Sequence, residues 1–183
     1  MVLVTAGGGG DGHFLMHSYL QGLCRGAENG FFSVIVTGPL MPPEQSAALQ
    51  AAVAGRWDVQ IVAYTTELVP SIASAALVVS MAGYNTSVEL LAARKKAILV
   101  PRSVPREEQK LRAGLLARLG LCECVPADEQ LAASLARQVP AALAAPAPHE
   151  RLWKAVDLHG AERIAAELTG RALRAAPRVQ GAA

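Results

Sequence analysis

The chain has 183 residues, with 17 Lys and Arg against 15 Asp and Glu, and only 4% of its residues are aromatic. That length suits one domain that buries its own core without metal or disulfide support, and the near-balanced charge argues against a nucleic-acid partner. Cys24, Cys122 and Cys124 form no CxxC pair, which reads as reduced thiols in a cytoplasmic protein.

Residues 2–6 are a short, largely β-branched run, a predicted strand, with no leader-like segment before it. It opens into Gly7-Gly8-Gly9-Gly10-Asp11-Gly12 and then a predicted helix over 13–27. Gly7, Gly9 and Gly12 satisfy the G-x-G-x-x-G spacing, in which glycines let backbone N–H groups approach a diphosphate. Four consecutive glycines satisfy many patterns, however, and the second strand, 32–37, ends in Gly38-Pro39 without the acid that a nicotinamide dinucleotide site requires. NAD is therefore discounted. Asp11 reads first as a cap of the following helix, with a catalytic acid as the alternative. His13 opens that helix, either as an ordinary polar residue or as a donor to a phosphate or sugar hydroxyl.

Pro42 and Pro43 suit the first turn of a helix running to Ala54, ended by Gly55. Residues 58–64 form a third strand, placing Tyr64 and Thr65 at its carboxyl end, and 65–67 lead into a short helix. The uncharged stretch 68–88 is interrupted by Pro70, Gly83 and Asn85, so it reads as a buried strand with flanking helices rather than a membrane span. That strand, 75–79, is followed by Ser80-Met81-Ala82-Gly83-Tyr84-Asn85-Thr86-Ser87-Val88-Glu89, a glycine turn into a helix N-terminus, where unpaired N–H groups and the macrodipole favour an anion. Glu89 suits a grip on two neighbouring hydroxyls, as in a ribose. Thr86 to Glu89 equally fits a capping box that binds nothing.

The helix from this turn runs to about Arg94, with Val88, Leu91 and Ala92 on its packed face and Glu89 turned away. Residues 97–100 form a further strand, stopped by Pro101, and 102–106 a basic loop. A helix follows from Arg106 to Leu119, and its opening Glu107, Glu108 and Gln109 are either first-turn chemistry or ligand contacts. The last strand is 122–125, then a helix over 128–139, a connector over 140–148, a helix over 160–173 and a frayed tail at 176–183.

Alternating strands and helices predict an α/β fold, a Rossmann-like doubly wound parallel sheet with helices on both faces, over residues 1–175. Ligands of such sheets sit outside the carboxyl ends of the strands. The glycine loop, Tyr64-Thr65, the Gly83 turn and the 102–109 segment each follow a strand, so one fold brings them to one edge.

Together GGGGDG, TGP, GYNTSVE and VPRSVPREEQ resemble the carboxyl-terminal half of a GT-B glycosyltransferase of the MurG-like, family 28 group. The resemblance is nearest to predicted glycosyltransferases with a MAGYNT signature, and it runs from about Val2 to Leu173. It implies a domain that binds a nucleotide diphosphate sugar, usually a UDP-sugar such as UDP-N-acetylglucosamine, as substrate, with no cofactor and no metal. By position it implies Glu89 on the ribose, and the backbone of Gly83, Tyr84, Asn85 and Thr86 toward the diphosphate. Gly9, Gly10 and Asp11 would lie beside the phosphates, Thr65 and Leu68 beside the uracil, and Glu108 and Gln109 on the sugar. Arg102 or Arg106 would supply the positive charge that the family has where this chain has Met81. The family's amino-terminal acceptor domain has no counterpart here, so a partner half is expected, with the full enzyme at the inner face of a membrane as one setting. Asp11 and His13 are the only nearby candidates for a catalytic base. A hydrolysing nucleotide-sugar epimerase half and a non-enzymatic nucleotide-sugar-binding subunit are the alternatives.

Overall fold

The computed structural model describes residues 1–24, 30–102 and 107–175. Among them one six-stranded sheet is formed by β1 (Val2–Thr5), β2 (Ser33–Val36), β3 (Val59–Val62), β4 (Leu77–Ser80), β5 (Ala97–Leu99) and β6 (Glu123–Cys124). All pairings are parallel, in the order β3-β2-β1-β4-β5-β6. The helices are α1 (His13–Cys24), α2 (Pro43–Ala52), α3 (Leu68–Ser74), α4 (Tyr84–Ala92), α5 (Glu108–Arg118), α6 (Leu131–Ala144), α7 (Glu150–Trp153) and α8 (Gly160–Ala175). This is the expected doubly wound α/β sheet. The strand order reverses between β1 and β4, where Thr5 pairs with Val36 on one side and Ser80 on the other.

The strands divide the core by their two-residue period. Val2 and Val4 of β1 and Leu77 and Val79 of β4 pack with Leu15, Tyr19, Leu49 and Leu135, under α1, α2 and α6. Leu3 and Val78 point the other way, to Ile72, Leu90, Leu116 and Trp153 of α3, α4, α5 and α7. Both central strands are buried along their whole length, as a parallel sheet covered on two faces demands.

Several boundaries depart from expectation. α6 runs through Pro140 instead of giving way to a connector. Leu131, Leu135 and Val139 bury in the cluster that also holds Tyr19 and Leu23 of α1, and the Lys96 ammonium donates to the carbonyls of Ala142, Leu143 and Ala145 at 2.8, 3.1 and 2.7 Å. A cation on the final carbonyls satisfies the helix end and opposes the cost of the internal proline. α7 was not anticipated: Trp153 buries and its indole N–H donates to Pro148 O at 3.3 Å. α4 buries Thr86, Ser87 and Leu90; of the expected face, Leu91 packs half-buried against the same cluster as Leu90, Val88 is half-buried and Ala92 is exposed. Residues 25–27 of the first predicted helix, Arg106 at the predicted start of α5, and the predicted tail at 176–183 lie outside the described residues. No helix of the described residues is long and apolar enough to cross a membrane.

Candidate functional site

The loops that follow β1 and β4 flank the crevice where the strand order reverses, the position at which open α/β sheets hold ligands. After β1, Gly7 and Gly9 take φ of +65° and +86°, and Gly9 is buried. A Cβ on Gly9 would stand 1.9 Å from Thr37 O, and one on Gly38 would stand 2.5 Å from Gly7 O. The glycine loop and the β2 loop therefore meet backbone to backbone, fastened by Leu40 N–H to Gly8 O at 2.8 Å. Gly38 N–H and the Thr37 hydroxyl in turn donate to Ala63 O, at 2.9 and 3.2 Å. Gly9 thus serves loop packing, while Gly8 and Gly10 are the exposed glycines of this loop.

The turn after β4 differs from the expected glycine turn. The left-handed residue is Ala82, φ +61°, and Gly83 has an ordinary extended conformation, φ −57° and ψ 150°. Nothing lies within 4 Å of a Cβ placed on Gly83, so neither conformation nor packing within the chain requires glycine there. The missing side chain leaves open space in front of the α4 N-terminus, whose first-turn N–H groups have no intrahelical acceptor. Thr86 sits 3.7 Å from a Cβ placed on Gly7, which brings α4 against the glycine loop.

Gly83 is the N-cap of α4, without a side-chain cap hydrogen bond. The capping-box alternative therefore fails: Thr86 lies inside the first turn, and Glu89 a turn deeper. Glu89 is half-buried, and its Oε2 is buried with no hydrogen-bond partner. A buried carboxylate oxygen left unsatisfied costs stability, and as an acceptor it can take a further donor.

Asp11 does not cap α1. The helix begins after Gly12, whose carbonyl accepts from Met16 N–H at 3.2 Å, and the Asp11 carboxylate pairs with the Arg102 guanidinium from the loop after β5. Arg102 Nε is buried without a partner, and Arg102 N–H donates to the buried Gln109 Oε1 at 3.3 Å. Glu108 is exposed beside it. The His13 ring stacks on His17, centroids 5.5 Å apart, and burial together with His17 lowers its pKa below 6.5. The Thr65 hydroxyl accepts from Glu67 N–H at 2.9 Å, and Leu68 packs half-buried at the start of α3. Arg106 lies outside the described residues. Sequence reasoning missed Arg112, whose Nη1 donates to Ala82 O at 2.7 Å and whose guanidinium lies 5.5 Å from the Tyr84 ring centroid. An arginine on a helix surface carries no motif, and only the fold brings it to the turn. Among the described residues no three His, Cys, Asp or Glu side chains gather where a metal could sit.

Residues 15–168 match the model of the glycosyltransferase family 28 C-terminal domain, and the chain belongs to that family. In structure it is similar to Acinetobacter baumannii MurG, with TM-score 0.70 and 18% identity over 93% of this chain and 49% of that one. It also resembles the glycosyltransferase VinC, solved in complex with dTDP, with TM-score 0.60 and 18% identity over 94% of this chain and 40% of that one. The UDP-GlcNAc 2-epimerase from Neisseria meningitidis, solved with UDP-GlcNAc bound, shares the fold as well, with TM-score 0.58 and 15% identity over 93% of this chain and 44% of that one. The chain thus spans about half the length of these structures. No curated protein sequence matches it.

Proposed function

We propose that this member of glycosyltransferase family 28 is the donor-binding half of a transferase that takes a nucleotide diphosphate sugar, a UDP-sugar such as UDP-N-acetylglucosamine, and passes the sugar to an acceptor hydroxyl. The observation that carries the reading is the unsatisfied, buried Oε2 of Glu89 on a helix whose unobstructed N-terminus opens on the β1/β4 crevice. The carboxylate would accept both ribose hydroxyls, a pair of charge-assisted hydrogen bonds. The first-turn amides of α4, beyond Gly83, would take the diphosphate and stabilise the charge that develops on it as the sugar leaves. Gly10 and Arg102 would border the phosphates, Thr65 and Leu68 the base, and Glu108 and Gln109 the sugar.

A second half completes the proposal. Among the described residues neither candidate base stands ready, since Asp11 is engaged by Arg102 and His13 stacks on His17. α8 leaves Ile164 and Leu168 exposed, an apolar stripe that needs a surface to cover it. An amino-terminal acceptor domain, on the same chain or as a partner, would supply both base and surface.

Calorimetric titration of residues 1–183 with UDP, dTDP and GDP tests the donor reading, with UDP expected to bind in the micromolar to millimolar range because one half encloses only part of the ligand. Binding of none of the three contradicts it. The epimerase-like neighbours make hydrolysing epimerisation the rival reading. With the second half present, the products tell them apart: a glycosylated acceptor and UDP for transfer, an epimeric free sugar for the rival.

A further inference from the structure

Two side chains of α5, one turn apart, reach out of their helix to hold the backbone of neighbouring loops. Gln109 Oε1 accepts from Arg102 N–H in the loop after β5. Arg112 Nη1 donates to the carbonyl of Ala82 in the turn after β4, at 2.7 Å, while its guanidinium lies 5.5 Å from the ring centroid of Tyr84. Ala82 has φ +61°, a region that Cβ sterics disfavour for alanine and that persists when its surroundings hold it. In a trans peptide the C=O and the following N–H point in opposite directions. A guanidinium on Ala82 O therefore fixes the direction of the Gly83 N–H, and with it the amides that open α4.

We propose that Arg112 is a positioning residue of the donor site: it sets the Ala82–Gly83 peptide and Tyr84 so that the α4 N-terminus is prearranged for a diphosphate. The inference rests on the donor-site reading above and extends it to a residue that need not touch the ligand. One guanidinium nitrogen is committed to Ala82 and the group lies against Tyr84, a combination that suits a planar fork and not a lysine ammonium. Prearrangement matters because donors already aimed at the phosphates need not be reoriented on binding.

The test is an NMR titration of the parent chain, Arg112→Ala and Arg112→Lys with UDP and, separately, with uridine. Arg112→Ala should weaken UDP binding about ten-fold or more while uridine changes less than about two-fold, Arg112→Lys should recover part of the loss, and the Gly83 amide resonance should move without ligand. UDP binding equal to the parent's overturns the proposal. So does equal weakening of UDP and uridine, which leaves Arg112 as a brace of the fold. Should Arg112→Ala fail to fold, Arg112→Lys reads the same ratio, and an unchanged UDP-to-uridine ratio overturns the proposal. A parent that binds no UDP rejects the donor-site reading and the proposal with it, whereas a binding parent with an unaltered variant rejects the proposal alone.

Discussion

Asp11 of the glycine loop and Arg102 of the loop after β5 form an ion pair that joins loops on opposite sides of β4. The pair gives Asp11 an occupation other than catalysis, and it keeps Arg102 at the carboxyl edge, where phosphates would compete for it.

Asp11→Asn should therefore leave the fold almost unchanged, since a partly exposed ion pair is worth less than about 1 kcal/mol. UDP affinity should hold or rise, because Arg102 loses an internal competitor. In the two-domain enzyme, turnover should fall by less than about ten-fold, against roughly 10²- to 10⁴-fold for a lost general base. Urea melts, titrations and steady-state rates check the three statements, and a hundred-fold rate loss with unchanged binding would make Asp11 the base after all.

The glycine loop separates into structural and open positions. Gly9→Ala places a Cβ 1.9 Å from Thr37 O at φ +86° and should cost roughly 2 kcal/mol or more. Gly10→Ala meets only ordinary contact with Leu40, 3.6 Å away, and should change stability by less than about 1 kcal/mol. Urea denaturation of the two variants decides, and equal losses would contradict the loop-on-loop packing.

His13 should titrate below 6.5, because burial and then the neighbouring His17 disfavour its imidazolium. Its folded pKa lies below the unfolded one, so the unfolded chain takes up the proton first as pH falls. Stability from this group is complete above pH 6.5 and is lost as pH drops through the folded midpoint. His17→Asn should move the midpoint up. Imidazole proton shifts followed by NMR measure both, and a midpoint above 6.5 in the parent would be inconsistent with the stacked, partly buried pair.

The middle of the sheet was legible in the sequence because β1, β4 and β5 lie in short apolar runs, the last stopped by Pro101, and because parallel strands buried on both faces, as these three are, leave no alternation to misread. The gathering of loops at one edge followed from that alternation of strands and helices alone. Less local features were not legible. Gly83 drew attention as the turn residue, yet Ala82 carries the positive φ, held by Arg112 from a helix thirty positions away. Asp11 looked like a cap because capping is decided within a few residues, whereas its partner Arg102 comes from across the sheet. Pro140 looked like a helix breaker, and the Lys96 ammonium that secures the end of that helix comes from just before β5.

The most direct test of the donor-site account is UDP titration of Glu89→Ala beside a thermal melt. Loss of a charge-assisted contact of roughly 1.5 to 3 kcal/mol should weaken UDP binding about ten-fold or more. Removal of an unsatisfied buried oxygen should leave the melting temperature unchanged or raised. Unchanged UDP affinity together with a lowered melting temperature would make Glu89 a structural residue and contradict the account.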